Sequence, residues 1–300
     1  MIKYNLHPSF RDWNKPGENK KVAQYVPPEE LEVIYDKISV PDPEREIEVK
    51  IFRPKNVGPE KLPIIMDVHG GGFVSGSYEN DNNRVTNLAL NVPSIVVALN
   101  YRLAPEYRFP EPLKDCLAVW NWLYENAAEK LGGDPERMGL YGTSAGGCLC
   151  AGMAFYIRDH GGPEIKLNVL NTPVLGLEPL LSAEQMRYDA PIVSGHKLAD
   201  KVRLYCRDLN GQLPSYYAVP NVALDYSELP PTMVIAAEYD PLRDQSMQYV
   251  QNLQKDAIPV EFYLMPRCIH GFNAKACDVT EWIGQGVVMS FRREFGISVN

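Results

Sequence analysis

Several features that would assign this chain to a specialised class of protein are missing from its sequence. The first eight residues mix Lys, Asn and His with apolar side chains and lack the continuous apolar stretch of a signal peptide, so we expect a cytoplasmic protein. Positive charge is in deficit, with 30 Lys and Arg against 38 Asp and Glu and a formal net charge of −8. No dense cluster of basic residues offsets that deficit, which argues against a nucleic-acid partner.

Cysteine pairs with metal-site or redox spacing are also missing. None of the six cysteines belongs to a C-x-x-C pair, and none has the histidine spacing of a zinc site. We therefore expect free, buried thiols and predict no metal site. The cysteines are Cys116, Cys148, Cys150, Cys206, Cys268 and Cys277.

Charge is absent from residues 138–157, a stretch as long as a membrane span. The stretch nevertheless contains several glycines together with Thr143 and Ser144. Such a composition suits a buried strand, a tight turn and a buried helix better than a membrane helix. We accordingly expect no membrane partner.

Apolar runs typical of strands alternate with segments of helical periodicity through most of the 300 residues. This alternation predicts a single α/β domain whose mainly parallel sheet is covered by helices on both faces. Two segments break the pattern, residues 1–45 and 176–226, and we interpret both as a cap over the strand ends. The predicted strands are 47–52, 64–69, 95–101, 137–141, 167–170, 232–237 and 260–264, and the predicted helices are 113–128, 244–255 and 279–295.

Ser144 lies at the centre of a G-x-S-x-G sequence that begins at Gly142 and follows an apolar run. The pattern is typical of a nucleophile elbow, a strained turn between strand and helix that exposes a serine hydroxyl. By composition alone it should arise in roughly one chain in ten of this length. An H-G-G-G-F sequence at residues 69–73 is far rarer, at roughly one chain in several hundred. Glycines after a strand can direct backbone N–H groups at an oxyanion, so the two motifs together indicate acyl transfer.

A serine nucleophile needs a general base, which chain order identifies as His270. In hydrolases with this elbow, the acid and then the histidine follow the serine along the chain. Two of the five histidines precede Ser144, one lies at the end of the following helix, and one lies in the segment 176–226. His270 remains, in a loop between a predicted strand and the terminal helix.

The acid that orients the base is expected at a strand end between Ser144 and His270. Asp240 follows the apolar run 232–237 at the point where Pro241 turns the chain. Glu238 and Asp244 are alternatives in the same loop. Elsewhere in the chain, Glu106 and Asp115 fall outside this order, and we expect them to be structural carboxylates.

These motifs resemble those of the hormone-sensitive-lipase-type carboxylesterases, bacterial family IV. The resemblance rests on H-G-G-G-F, the G-T-S-A-G-G elbow, D-P-L-R-D at 240–244, H-G-F at 270–272 and the segment 101–110, and it extends from about residue 50 to the C-terminus. It implies an α/β-hydrolase fold with a cap built from the N-terminus and an insertion. Thr143 stands where the commoner elbow of the family has Asp, which matches the GTSAG branch and leaves any cap contact of that Asp in doubt.

Carried over to this chain, the resemblance implies a triad of Ser144, Asp240 and His270 and no cofactor. The implied oxyanion hole consists of the N–H groups of Gly71, Gly72 and Ala145. We expect His69 and Gly70 to brace that loop. Aromatic residues near these motifs or in the cap are candidates for lining the substrate pocket, with core packing as the alternative: Phe73, Tyr188, Tyr205, Tyr216, Tyr217 and Phe272.

The predicted function is hydrolysis of short-chain acyl esters of small molecules through an acyl-enzyme intermediate. An amidase, or a deacetylase acting on carbohydrates or xenobiotics, would use the same triad and stays open. A further alternative is a ligand-binding protein without turnover. Members of the family are often dimers, so the resemblance also carries a homodimer as an expectation.

Overall fold

A computed structural model describes residues 4–12, 25–41, 44–55, 57–58, 60–177, 180–206 and 214–298. The two predicted cap segments, 1–45 and 176–226, are therefore described only in part. Residues 1–3, 13–24, 42–43, 178–179 and 207–213 of these segments lie outside the described part of the chain.

An eight-stranded sheet forms the centre of the molecule, in the order β1-β2-β4-β3-β5-β6-β7-β8. Strand β2 is antiparallel to both of its neighbours, and the other neighbouring pairs are parallel. The prediction of a mainly parallel sheet is therefore confirmed. The strands are β1 Leu31–Pro41, β2 Glu44–Pro54, β3 Leu62–Val68, β4 Ile95–Leu99, β5 Gly133–Thr143, β6 Asn168–Asn171, β7 Thr232–Tyr239 and β8 Val260–Ile269.

Strand β1 lies within residues 1–45, which the sequence predicts to be part of a cap, so the structure corrects that prediction for residues 31–41. It pairs with β2 along its whole length and forms one edge of the sheet. Only Leu31 and Ile38 are fully buried along it, and charged side chains interrupt the apolar pattern. An edge strand with so few buried residues carries little of the periodicity by which strands are recognised.

Helices cover both faces of the sheet. Helices α2, α3 and α6 contribute to one buried cluster, and α1 and α7 contribute to the other. Along β3, Ile64 and Met66 join the first cluster and Ile65 the second, as the two-residue period of a strand requires. The helices are α1 Asn82–Asn91, α2 Glu111–Lys130, α3 Ala145–His160, α4 Leu181–Gln185, α5 Gly195–Cys206, α6 Arg243–Lys255 and α7 Asp278–Glu294.

The uncharged stretch 138–157 forms the end of β5, the turn at Ser144 and most of α3, as predicted. No helix among the described residues is long and apolar enough to cross a membrane. All six cysteines are free. Five are buried as expected, whereas Cys277 is partly exposed at the start of α7.

Helices α4 and α5 lie in the insertion between β6 and β7, within the segment predicted as a cap. Tyr205 near the end of α5 stacks on Phe73, with ring centroids 4.0 Å apart and an interplanar angle of 5°. The backbone N–H of Phe109 also donates to the carbonyl of Tyr205, at 2.8 Å. These contacts dock α5 against the loop that follows β3 and against the segment between β4 and α2.

Candidate active site

Ser144 occupies a sharp turn between β5 and α3, with φ 55° and ψ −113°. Its backbone N–H donates to the carbonyl of Asn171, at 2.9 Å, which ties the turn to the end of β6. A Cβ on Gly146 would overlap the carbonyl of Val68, and a Cβ on Gly142 would overlap the carbonyl of Gly146. Both glycines of the motif are therefore required by close backbone approach, and the turn holds a serine in a conformation that non-glycine residues rarely adopt.

The structure brings Ser144, His270 and Asp240 together in one hydrogen-bonded chain. The Ser144 Oγ lies 3.0 Å from His270 Nε2, and His270 Nδ1 lies 2.8 Å from Asp240 Oδ2. An ionised carboxylate can only accept, so the proton of neutral His270 resides on Nδ1. Nε2 is then free to accept the hydroxyl proton of Ser144, which is the geometry of an activated serine.

Asp240 is held by its own loop as well as by His270. Its side chain is only 1% exposed, and Oδ1 accepts from the backbone N–H of Leu242 at 2.9 Å. Of the two alternative acids, Glu238 accepts from the N–H of Arg267 at 2.6 Å and Asp244 from the N–H of Ser182 at 2.7 Å. Among the three acids, Asp240 is the one that contacts His270.

The glycine loop after β3 lies directly against the serine. A Cβ on Gly70 would stand 3.3 Å from the Cβ of Ser144. Gly71 and Gly72 have φ values of 127° and 66°, which favour glycine. Within the described chain, the N–H groups of Gly71, Gly72 and Ala145 donate to no backbone or side-chain acceptor. Three donors beside the serine therefore remain available to an oxyanion.

His69 supports this loop through hydrogen bonds and ring stacking. It is buried, its Nδ1–H donates to the carbonyl of Gly70 at 2.7 Å, and its ring stacks on Tyr101 with centroids 4.3 Å apart. The hydroxyl of Tyr101 donates back to the carbonyl of His69 at 3.0 Å. Burial lowers the pKa of His69, so the ring is held neutral. These contacts support the bracing role expected of His69 and Gly70.

The two phenylalanines proposed for the substrate pocket are part of the core. Phe73 is fully buried and stacked on Tyr205, and Phe272 is buried and packs against Phe10. They lie next to the catalytic motifs in sequence, but their side chains turn into the protein. The alternative of core packing, left open by the sequence, describes both.

The tyrosines proposed for the pocket have other surroundings. Tyr188 is 73% exposed and contacts Arg187 and His196. The hydroxyls of Tyr216 and Tyr217 both donate to Asp159, at 2.7 and 2.8 Å. Asp159 is near the end of α3, about 22 Å along the helix axis from Ser144. The hydroxyl ends of this pair are therefore remote from Ser144, because the cap chain returns along α3 before it enters β7.

Lys201 is a side chain near the site that the motifs did not reveal. It belongs to α5 and lies over Gly72, with Nζ 3.0 Å from the position that a Cβ on Gly72 would take. The signal in the sequence is its spacing from the buried Leu198, Val202 and Tyr205, which places a lysine on the inward face of a cap helix.

Asp115, which was expected to be structural, is fully buried on α2 and accepts from two arginines. Arg102 Nε lies 2.8 Å from one carboxylate oxygen, and Arg45 Nη2 lies 2.7 Å from the other. This cluster pins the segment after β4 and the strand β2 to α2. It does not reach the serine.

A serine hydroxyl, a histidine base, a buried carboxylate and unpaired N–H donors in this arrangement can perform acyl transfer. Comparisons with known proteins agree. Residues 65–274 match the protein family described as alpha/beta hydrolase fold. The chain is 35% identical over 248 residues to the carboxylesterase NlhH of Mycobacterium tuberculosis, covering 81% of this chain and 75% of that protein.

Two further relatives have related names. The chain is 29% identical to the ethyl acetate hydrolase of Pseudomonas putida, covering 80% of this chain and 76% of that protein. The crystal structure of the esterase LipW from Mycobacterium marinum superposes with a TM-score of 0.82 at 30% identity, covering 88% of this chain and 82% of that one. Fold and sequence thus point to the same class of enzyme.

Proposed function

Because this chain belongs to the hormone-sensitive-lipase-type carboxylesterases of the α/β-hydrolase fold and is a carboxylic ester hydrolase, we propose that it hydrolyses short-chain acyl esters of small molecules through an acyl-enzyme on Ser144. The observation that carries this proposal is the hydrogen-bonded chain from Ser144 Oγ through His270 to Asp240, at 3.0 and 2.8 Å.

In the proposed mechanism, His270 Nε2 takes the proton of Ser144 as its oxygen attacks the ester carbonyl. Asp240 stabilises the imidazolium that forms and keeps the ring in the required tautomer. The alcohol leaves with the proton from His270, and the acyl group stays on Ser144. Water then repeats the sequence, with His270 as base, and releases the carboxylic acid.

The unpaired N–H groups of Gly71, Gly72 and Ala145 support the second part of the proposal, an oxyanion hole. Donors that are already oriented stabilise the developing charge without reorganising during the reaction. His69 serves this step indirectly, because its hydrogen bond to Gly70 and its stacking on Tyr101 hold the loop in place.

Short acyl chains are proposed on the strength of one relative. The ethyl acetate hydrolase of Pseudomonas putida is named for a substrate with a two-carbon acyl group. Activity on 4-nitrophenyl esters should accordingly be highest at two to four acyl carbons. A rise in kcat/KM beyond about eight carbons would contradict this preference.

The test of the mechanism compares the wild type with Ser144→Ala on 4-nitrophenyl acetate. We expect a burst of nitrophenol equal to the enzyme concentration for the wild type and no burst for the variant. Mass spectrometry of the quenched reaction should find one acetyl group, on Ser144. Turnover retained in Ser144→Ala would exclude an acyl-enzyme on Ser144.

Two predictions from the sequence remain as proposals, a cytoplasmic location and a homodimer. Cell fractionation tests the first. Light scattering of the purified protein tests the second, with twice the mass of the 33.8 kDa chain as the expected result.

A further inference from the structure

Lys201 lies on the inward face of α5. It is three residues after Leu198 and four before Tyr205, so the three side chains share one side of the helix. Leu198 and Tyr205 are buried, at 6% and 0% exposure. The neighbouring Asp200 and Arg203 are exposed and pair with each other. A lysine thus occupies a position where this helix otherwise presents apolar side chains to the protein.

The Lys201 side chain crosses the glycine loop next to the serine. Its Cδ would overlap a Cβ on Gly72, and its Nζ lies 3.0 Å from that Cβ position. Two residues back in the same loop, a Cβ on Gly70 would stand 3.3 Å from the Cβ of Ser144. Since two residues extend at most about 7 Å, these contacts place the ammonium group within roughly 13 Å of the Cβ of Ser144, on the loop that borders the serine.

Among the residues that the structure describes, no counter-charge pairs with this ammonium group. Within the part of the chain that the structure describes, Lys201 makes no hydrogen bond and no ion pair. A cation that is partly withdrawn from water without a partner is unfavourable, whereas a bound anion would turn the same position into a charge-assisted contact. The N–H groups of Gly71, Gly72 and Ala145, which have no acceptor within the described ranges, are the donors proposed for the oxyanion, so the reaction does not require this charge.

We propose that Lys201 binds an anionic group of the substrate, so that the preferred substrates are short esters carrying a carboxylate close to the scissile ester. This inference rests on the proposed esterase activity and names the substrate class within it. Lys201 is then a specificity residue that the cap contributes. Because Lys201 belongs to α5, recognition of the anion depends on how α5 docks on the glycine loop.

The test uses two pairs of esters that differ only in whether a carboxylate or a methyl ketone occupies one end. Monoethyl succinate and ethyl levulinate place that group on the acyl side, and acetoxyacetate and acetoxyacetone place it on the alcohol side. Both acids are ionised at pH 7. Hydrolysis is followed by titrating the released acid, with Ser144→Ala as the blank.

The variants separate charge from packing. Lys201→Met keeps the length of the stem and removes the charge, and Lys201→Arg keeps the charge. Lys197→Met is the matched control, because Lys197 is exposed one turn earlier on α5. In Lys201→Met, the ratio of kcat/KM for the anionic ester to that for its neutral partner should fall about ten- to a hundredfold in at least one pair. In Lys197→Met and Lys201→Arg, the ratio should stay within about threefold of the wild type.

The remaining outcomes overturn the inference. An unchanged ratio in Lys201→Met for both pairs means that the lysine does not recognise the anion. An equal loss of kcat/KM for the anionic and the neutral ester in Lys201→Met means that the Lys201 charge stabilises the oxyanion common to all esters, or that the side chain only supports the glycine loop. If the wild type hydrolyses none of the four esters and no 4-nitrophenyl ester, the esterase activity itself fails and the substrate class falls with it.

Discussion

Replacing Asp240 with asparagine keeps the shape of the buried acid and removes its charge. The side-chain oxygen of the amide can still accept from the N–H of Leu242, as Asp240 Oδ1 does at 2.9 Å. The amide nitrogen then faces His270 Nδ1, where it donates instead of accepting. The ring must therefore carry its proton on Nε2, which lies 3.0 Å from the Ser144 hydroxyl that it should deprotonate.

The expected loss in kcat is about 10⁴-fold, because the base has the wrong tautomer and its imidazolium loses a buried counter-charge. This loss corresponds to about 5 kcal/mol of transition-state stabilisation. The measurement is the initial rate of 4-nitrophenyl acetate hydrolysis at pH 7.5. Urea unfolding of the same samples checks that the fold is intact.

Asp244→Asn and Glu238→Gln are the controls for Asp240→Asn. Glu238 lies near the end of β7 and Asp244 in the first turn of α6, and both accept from backbone N–H groups instead of contacting His270. We expect less than a tenfold loss in kcat for each. The assignment of Asp240 is refuted if Asp240→Asn keeps more than a tenth of wild-type kcat, or if either control loses as much.

Three further predictions concern the frame around the site. Gly146→Ala should abolish activity or lower the free energy of unfolding by more than about 2 kcal/mol, because the new Cβ would overlap the carbonyl of Val68. Its control is Gly286→Ala, which adds a Cβ to α7 with ordinary contacts only and should raise the free energy of unfolding by about 0.5–1 kcal/mol. Asp115→Ala should lower the free energy of unfolding by about 3–5 kcal/mol in urea titrations, because its two arginines lose a fully buried partner; a change under about 1 kcal/mol would contradict this. Burial lowers the pKa of His69 below its usual 6.5, so on acidification the unfolded chain takes up a proton that the folded chain does not. The free energy of unfolding of the wild type should therefore fall by up to about 2 kcal/mol between pH 6.5 and 5. His69→Asn should reduce this fall. Equal pH slopes for the two proteins would exclude this contribution.

The strands of the sheet interior were predicted within a few residues, whereas the edge strand β1 was missed. Interior strands are apolar on both faces, as at Ile64 and Ile65, and so form continuous apolar runs. Strand β1 buries only Leu31 and Ile38 fully, and its stability comes from pairing with β2. A strand that depends on its neighbour has little pattern of its own.

The pocket residues were the least predictable part of the site. Adjacency in sequence to a catalytic motif suggested Phe73 and Phe272, yet both side chains pack into the core. Tyr217 was suggested by its place in the cap, and its hydroxyl bonds to Asp159 at the far end of α3. Which way a side chain points at the end of an irregular segment depends on contacts with residues distant in sequence.

The sequence by itself determined the elbow at Ser144 and the order in which Asp240 and His270 follow it. Those features are local, because a strained turn needs its glycines within two residues and a fixed chain topology sets the order of the strand ends. Only the tertiary structure decided that Asp240 and not Asp244 contacts His270, and that Lys201 lies over Gly72. Both depend on how separate segments dock, and the free energy of docking is a sum over distant contacts that no short stretch of sequence contains.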